Sequence, residues 1–353
     1  MKAAVWHGRQ DVRIEDAPDP PPPPPGQIQV AVAWCGICGT DLHEYIAGPV
    51  YIPQDAPHPL TRVKAPVIIG HEMSGRVTAV GPDVEGFSVG DRVAACPIIG
   101  CRQCRWCKSG SMAQCDKVAF LGTSWWGGAL SEQLNLHAYQ CFHLTNNISD
   151  EVGALVEPFS AAVRAVAQAR IGPDDQVAIV GAGPMGLMTL LAAILRGAKQ
   201  VVAVEVAQRR KETARELGAG DVIDPLAEDP EKRALDITDG QGFDVVIECV
   251  GQPTTAQLAG RLTRTRGRLV VMGVFEKPAP MDFTDLVFRE KTVSGSMSGF
   301  GMYDDTIRLM ADPRFHGEKL ITARIPLADL VEKGYHGLLY KKEDNVKTLV
   351  SPH

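Results

Sequence analysis

The chain has 353 residues, 45% hydrophobic and 22% charged, enough to bury two ordinary globular cores. Its net charge of -6 leaves no basic footprint for nucleic acid or an anionic membrane surface, so neither is expected as a partner. The longest apolar stretch, Leu187 to Leu195, is about half of what a bilayer crossing needs. Met1 to Trp6 alternates like a strand and lacks the apolar core of a signal peptide. Nine cysteines, clustered like metal ligands, suit a reducing compartment, and the cytoplasm is the expected location.

In chain order, the first third is punctuated by Gly and Pro. Its short apolar runs at 28–33, 74–80 and 92–95 predict strands of a small β-rich domain. The six prolines from Pro20 to Pro25 form a stiff polyproline II connector, with a peptide-recognition segment as the alternative. From Glu151 the texture changes. Residues 152–170 are rich in Ala and Val and predict one linking helix. Strands at 177–180, 201–205, 222–223, 245–249 and 269–272 then alternate with helices that reach Leu195 and Leu217. Repeated β-α-β units imply a doubly wound parallel sheet covered by helices on both faces. After Lys291 the pattern turns irregular, and the tail is expected to rejoin the first domain. The expected division is 1–155, 156–292 and 293–353, with the α/β unit as an insertion and no internal repeat.

Cys101, Cys104, Cys107 and Cys115 give the spacing C-x2-C-x2-C-x7-C. Four soft thiolates so close together match a closed tetrahedral zinc site, which performs no chemistry and marks a structural lobe. Unconnected buried cysteines or a disulfide cluster are the alternatives.

The strand at 176–180 runs into Gly181-Ala182-Gly183-Pro184-Met185-Gly186, a G-x-G-x-x-G between a strand and a helix. Gly181 permits the turn, Gly183 lets the backbone approach a pyrophosphate, and Gly186 allows helix to pack on strand. The helix N-terminus then faces the anion. Glu205, at the end of the next strand, can accept from both ribose hydroxyls and would repel a 2'-phosphate, which favours NAD over NADP. Arg209, Arg210 and Lys211 follow closely; they either neutralise a phosphate or form a solvated helix face. A glycine-rich turn that binds no cofactor is the alternative for the whole motif.

Cys38, His71, Glu72 and Glu157 are further good ligands. One thiolate, one imidazole and one carboxylate would leave a fourth position for water or substrate, as in a catalytic zinc site. Taken singly, each of these residues also reads as a core histidine or a solvated carboxylate.

Cys38-Gly-Thr-Asp-Leu-His43, Gly70-His71-Glu72, the four-cysteine lobe, Glu157-Pro158 and the dinucleotide fingerprint occur together, in one order, over nearly the whole chain. In this the sequence resembles the zinc-dependent medium-chain alcohol/polyol dehydrogenases. Asp41-Leu42-His43-Glu44-Tyr45 and His58-Pro59-Leu60-Thr61 resemble the 2,3-butanediol dehydrogenase subgroup, with sorbitol, threitol and threonine dehydrogenases as near relatives.

The resemblance implies a Rossmann NAD-binding domain inserted in a GroES-like catalytic domain, with two zinc ions per subunit. It implies a catalytic zinc on Cys38 and His71, with Glu72 or Glu157 alternating with water, and Cys35 as a non-ligand. Asp41 would orient the liganding histidine. Thr40 and His43 would pass the hydroxyl proton outward through the cofactor ribose; their alternatives are a turn hydroxyl and a surface imidazole. Cofactor contacts would come from Gly181, Gly183, Pro184, Met185, Gly186, Glu205, Arg210, Val250 and Val274. Lys347 would lie near the pyrophosphate, or else be a solvated surface lysine. Tyr45, Trp125, Trp126 and Phe159 would be pocket walls or ordinary core.

The implied reaction is oxidation of a secondary alcohol. Zinc would lower the pKa of the substrate hydroxyl, as it lowers that of water from about 15.7 to about 7. Hydride would pass to the nicotinamide. A carboxylate in place of a second cysteine gives a harder shell, which suits a vicinal diol or polyol. Threonine-like amino-alcohol oxidation and a non-catalytic binding protein on the same fold are the alternatives. A homodimer or homotetramer is expected.

Overall fold

In the computed structural model, which describes residues 1–341 and 345–353, the chain divides into two units. One is Met1–Glu157 with Ile321–His353, and the other is Pro158–Leu320. The insertion is therefore longer than expected. Residues 293–320 stay with the second unit instead of returning to the first.

The axis of the first unit is the strand Gln27–Gly36. Ile28, Val30 and Val32 alternate inward with polar or half-exposed neighbours, the period-two pattern of a sheet with one face on the core. It pairs antiparallel with Glu72–Val80, Gln133–His137 and Lys347–Ser351, within a seven-stranded sheet. Met73, Val77, Val93, Leu134 and Leu136 close the core around it. Each such aliphatic side chain contributes roughly 1.5–3 kcal/mol when fully buried.

The register of this strand matters more than its length. Gly36 stands opposite Glu72, and Cys35 opposite Met73. On the other edge, Gly36 faces Leu349 and Cys35 faces Val350. The residues just past Gly36 therefore meet those just before Glu72, and the start of the last strand lies beside both. A slip of one residue would turn Glu72 to the opposite face.

The second unit is a six-stranded sheet with every neighbouring pair parallel. Its spatial order is Asp221–Ile223, Gln200–Val204, Gln176–Val180, Phe243–Glu248, Thr263–Val271, Thr292–Gly295. In chain order this is 3-2-1-4-5-6, the dinucleotide-binding arrangement, whose ligand crevice opens where the order reverses. Val177 to Val180 and Val245 to Ile247 are almost wholly buried, as strands covered on both faces must be.

Five helices connect the strands: Pro184–Leu195, Gln208–Glu216, Pro230–Ile237, Pro253–Leu262 and the short Phe283–Phe288. The strand Thr292–Gly295 adds the sixth position by pairing Val293 with Leu269. The helix Tyr303–Met310 buries Tyr303, Thr306, Ile307 and Met310. These two elements hold 293–320 in this unit. The linking helix is in fact two, Asp150–Gly153 and Val156–Gln168. Among the described residues, no helix is long and apolar enough to cross a membrane.

Candidate functional site

The sheet register brings one sulfur, one imidazole and one carboxylate together. Ligand atoms of Cys38, His71 and Glu72 all lie within 4.8 Å of one another. Cys38 caps the helix Gly39–Ala47, and its backbone N–H donates to Asp41 Oδ2 at 2.9 Å. The other Asp41 oxygen stands 3.9 Å from His71 Nδ1. The carboxylate thus holds the loop with one oxygen and faces the outer edge of the imidazole with the other. His71 Nδ1 makes no hydrogen bond, and this ion-pair contact puts a carboxylate on the side from which a metal-ligating histidine is oriented.

Burial pulls the His71 imidazole down, but the Cys38 sulfur and the Asp41 carboxylate outweigh it and hold the group well above its ordinary value. Burial pushes the Glu157 carboxyl up to about 7, with His71 opposing the shift and Glu72 adding to it. Glu157 therefore shares the electrostatic field of the cluster, although it is not one of the three residues within 4.8 Å. The buried His71 imidazole and Glu72 carboxylate with the half-buried Cys38 thiol form a mixed N/S/O donor set with fewer than four close ligands. They fit a divalent zinc with a position left open.

Cys35 is fully buried, with its thiol directed to the Gly36 carbonyl at 3.5 Å. Burial raises it well above the ordinary thiol range. It stands outside the ligand group.

The four sulfurs of Cys101, Cys104, Cys107 and Cys115 also lie within 4.8 Å of one another. The loop that carries them is closed at its base by the strand pair Ile98–Ile99 and Ala119–Phe120. The Cys104 backbone N–H donates to Cys101 Sγ at 3.3 Å, and Cys101 and Lys117 N–H donate to Cys115 Sγ at 3.3 and 3.4 Å. Such donors stabilise thiolates. They lower Cys101 and Cys104, whereas burial raises Cys107 and Cys115. Four soft sulfur donors this close together, with no open position, fit a structural zinc.

The second unit builds its site at the end of the strand Gln176–Val180. Gly181 has φ +90°, and a Cβ there would stand 2.3 Å from Val250. A Cβ on Gly186 would stand 1.8 Å from the Gly181 carbonyl oxygen, so helix and turn touch only because both residues are glycines. Pro184 opens the helix at its first position, where a missing N–H costs nothing, and Met185 follows it.

Glu205 is buried, and its carboxylate accepts from Ala182 N at 2.8 Å, Val206 N at 2.8 Å and Ala207 N at 2.9 Å. It ties the glycine turn to the start of the next helix. Arg209 pairs with Glu212 and Glu216, and Lys211 with Asp224. Arg210 turns the other way. Its Nη1 lies 3.8 Å from where a Cβ on Gly183 would stand, and its buried Nε has no partner. This cradle fits a dinucleotide.

Val250 and Val274 are 42% and 72% exposed at neighbouring strand ends. Beneath them lies a residue the sequence did not flag. Glu248 Oε1 accepts from Val250 N at 2.9 Å, Gly251 N at 2.9 Å and Thr255 Oγ1 at 2.8 Å. Its own carbonyl accepts from Met272 N at 2.8 Å and Gly273 N at 3.1 Å. One glutamate thereby fixes both loops. The only sequence signal was an acidic residue ending an apolar run.

Other expectations separate. Thr40 Oγ1 is 3.5 Å from Cys38 Sγ, while His43 is exposed one helical turn further on. Tyr45 packs on Tyr335 at 5.2 Å and Trp125 on His137 at 5.1 Å, while Trp126 is 70% exposed. Phe159 packs on Phe315 in the core of the second unit, so it is not a wall of the metal site's own unit. Lys347 is not a surface lysine. It is buried, with its ammonium on Glu72 and on the Ile37 carbonyl.

Comparison with known proteins agrees with this geometry. Residues 24–146 match the family model of the alcohol dehydrogenase GroES-like domain, and residues 184–312 that of zinc-binding dehydrogenases. The chain is 39% identical to the (R,R)-butanediol dehydrogenase of Bacillus subtilis (strain 168), over 100% of both chains. It is 32% identical to the sorbitol dehydrogenase of the same strain, over 100% of this chain and 98% of that one. The crystal structure of 2R,3R-butanediol dehydrogenase from Bacillus subtilis superposes with a TM-score of 0.94, covering 100% of this chain and 99% of the other.

Proposed function

The chain belongs to the zinc-dependent medium-chain alcohol and polyol dehydrogenases, and from that premise we propose an NAD-linked oxidoreductase acting on the secondary alcohol of a vicinal diol or polyol. The observation that carries the reading is the mixed group Cys38, His71 and Glu72 within 4.8 Å, in a chain that also holds a separate four-sulfur site. The first would bind a zinc open to substrate, the second a zinc closed by protein, giving two per chain. Zinc bound there would supply Lewis-acid polarisation of a hydroxyl oxygen, and a nicotinamide would supply the hydride acceptor.

The chain's own residues do the rest. Asp41 holds the Cys38 loop and faces the outer nitrogen of His71, which keeps the inner nitrogen free to ligate. Glu157 supplies a carboxylate whose affinity for a proton is raised by burial. Thr40 would relay the hydroxyl proton through the cofactor ribose, with exposed His43 at the outer end of the path. Glu205 with Arg210 selects NAD, because the carboxylate repels a 2'-phosphate. A glutamate ligand beside one sulfur gives a harder shell than two sulfurs, which favours a substrate with a second hydroxyl.

The nine free cysteines support a reducing cytoplasmic location. The edge strand Thr292–Gly295 and the exposed Phe283, Val287 and Phe288, at 68%, 71% and 83%, support self-association into a dimer or tetramer.

The test is NAD reduction across stereoisomers of 2,3-butanediol, sorbitol, threitol, threonine and glycerol, with monohydric secondary alcohols as controls. Turnover of diols or polyols above the controls supports the reading. Silence across the panel with zinc bound removes it.

A further inference from the structure

Lys347 is 3% exposed and Glu72 is 1% exposed, and their side chains form an ion pair. The ammonium also donates to the Ile37 carbonyl at 3.0 Å. Ile37 lies between Gly36 and Cys38, so one lysine ties the last strand, the Cys38 loop and the Glu72 carboxylate together. Burying such a pair costs both partners their hydration, and a well-packed apolar residue would often serve stability as well. A lysine here therefore calls for a chemical reason.

The surroundings supply it. The groups facing this ammonium are Glu72, Glu157, Asp41 and the Cys38 sulfur, all potentially anionic. Lys347 is paired with Glu72, and its charge also acts on Asp41, Glu157 and the Cys38 sulfur. Its bond engages Glu72 Oε2, the same oxygen that crowds Gly36. One oxygen of the same carboxylate lies within 4.8 Å of the Cys38 and His71 ligand atoms.

We propose that Lys347 is a positioning residue of the metal centre. It restricts Glu72 to a single ligating oxygen and offsets its charge, so that Glu157 and substrate, rather than the second oxygen of Glu72, compete for the open position. The inference rests on the metal reading of the Cys38 group.

The test uses the full chain with zinc in the four-cysteine site and Co2+ in the Cys38 site, comparing wild type, Lys347→Met and Lys347→Arg. Freed from the lysine, Glu72 gives both oxygens to the metal. In Lys347→Met the visible cobalt bands then weaken as coordination number rises, and metal loss to a chelator slows. Lys347→Arg keeps the charge and restores most of the wild-type spectrum. In a Glu72→Gln background, Lys347→Met changes the spectrum no further.

Unchanged bands and an unchanged loss rate in Lys347→Met overturn the role of the lysine. Faster metal loss overturns it too, since that would mark a residue that only props the loop. Wild-type protein that takes up no cobalt at Cys38 is a different result and overturns the metal reading itself.

Discussion

Gly36 lies opposite Glu72 in the antiparallel ladder, and a Cβ on Gly36 would stand 2.2 Å from Glu72 Oε2. Gly36 sits in an ordinary strand, so its need for a missing side chain comes from the carboxylate and not from a turn. Gly36→Ala must displace Glu72, and the expected loss of metal affinity at the Cys38 site is about 10–100-fold. Chelator competition measures it, with the four-cysteine metal as internal control. Wild-type affinity in this variant would remove Glu72 from the ligand set.

Glu157 carries a pH prediction. Burial raises its folded-state value to about 7, above the value of about 4.3 expected in an unfolded chain. Between these values the folded chain holds a proton that the unfolded chain has released, so stability falls as pH rises through the window. The effect belongs to protein with no metal at the Cys38 site. Urea unfolding of that form should show the slope, and Glu157→Gln should flatten it. An equal slope in both proteins would place the titration elsewhere.

The four-cysteine lobe should matter to stability and not to chemistry. Cys104→Ser removes a sulfur held by backbone donors and opens the closed site. A cost of about 4 kcal/mol, in the range that loss of a metal reaches, corresponds to roughly 8–16 °C for a unit of this size. Calorimetry with metal analysis checks it: one zinc fewer per chain, a lower Tm, and kcat largely kept below the new transition.

Glu205 and Arg210 divide the work of cofactor choice. Glu205→Ser removes the charge that would oppose a 2'-phosphate and leaves Arg210 at the glycine turn. Hydrogen bonds to a charged group contribute about 1.5–3 kcal/mol, so kcat/KM for NAD should fall by roughly 10–100-fold. The ratio of NADP to NAD efficiency should rise. Arg210→Ala should weaken both cofactors, and adding it to Glu205→Ser should cancel the gain for NADP. Initial rates with both cofactors decide this. A ratio unchanged in Glu205→Ser would contradict the assignment.

Much of the site was legible because metal and phosphate chemistry demands particular residues at short spacing. Four cysteines within one loop, and glycines bracketing a strand-to-helix turn, announce themselves locally. What was missed depends on pairing between distant segments. Lys347 reaches Glu72 only because Leu349 falls opposite Gly36 in the sheet, and no local pattern encodes that register. The strand Thr292–Gly295 is four residues of weak alternation, and only its pairing with Thr263–Val271 keeps it in the parallel sheet. The helices Pro230–Ile237 and Pro253–Leu262 were legible in principle, since each begins with proline at its first position, and Asp229 caps the former. The expected linking helix is interrupted by a turn at Ala154 and Leu155, two good helix formers whose local sequence does not mark the break.

The central claim is a division of labour between two zinc sites, and metal titration against activity tests it most directly. Protein with zinc only at the four cysteines, prepared by selective chelation or as Cys38→Ser, should be folded and inactive toward diols with NAD. In the chelated protein, activity should return in proportion to the second equivalent of zinc. In Cys38→Ser it should not return. Full activity with a single zinc held by the four cysteines would contradict the account.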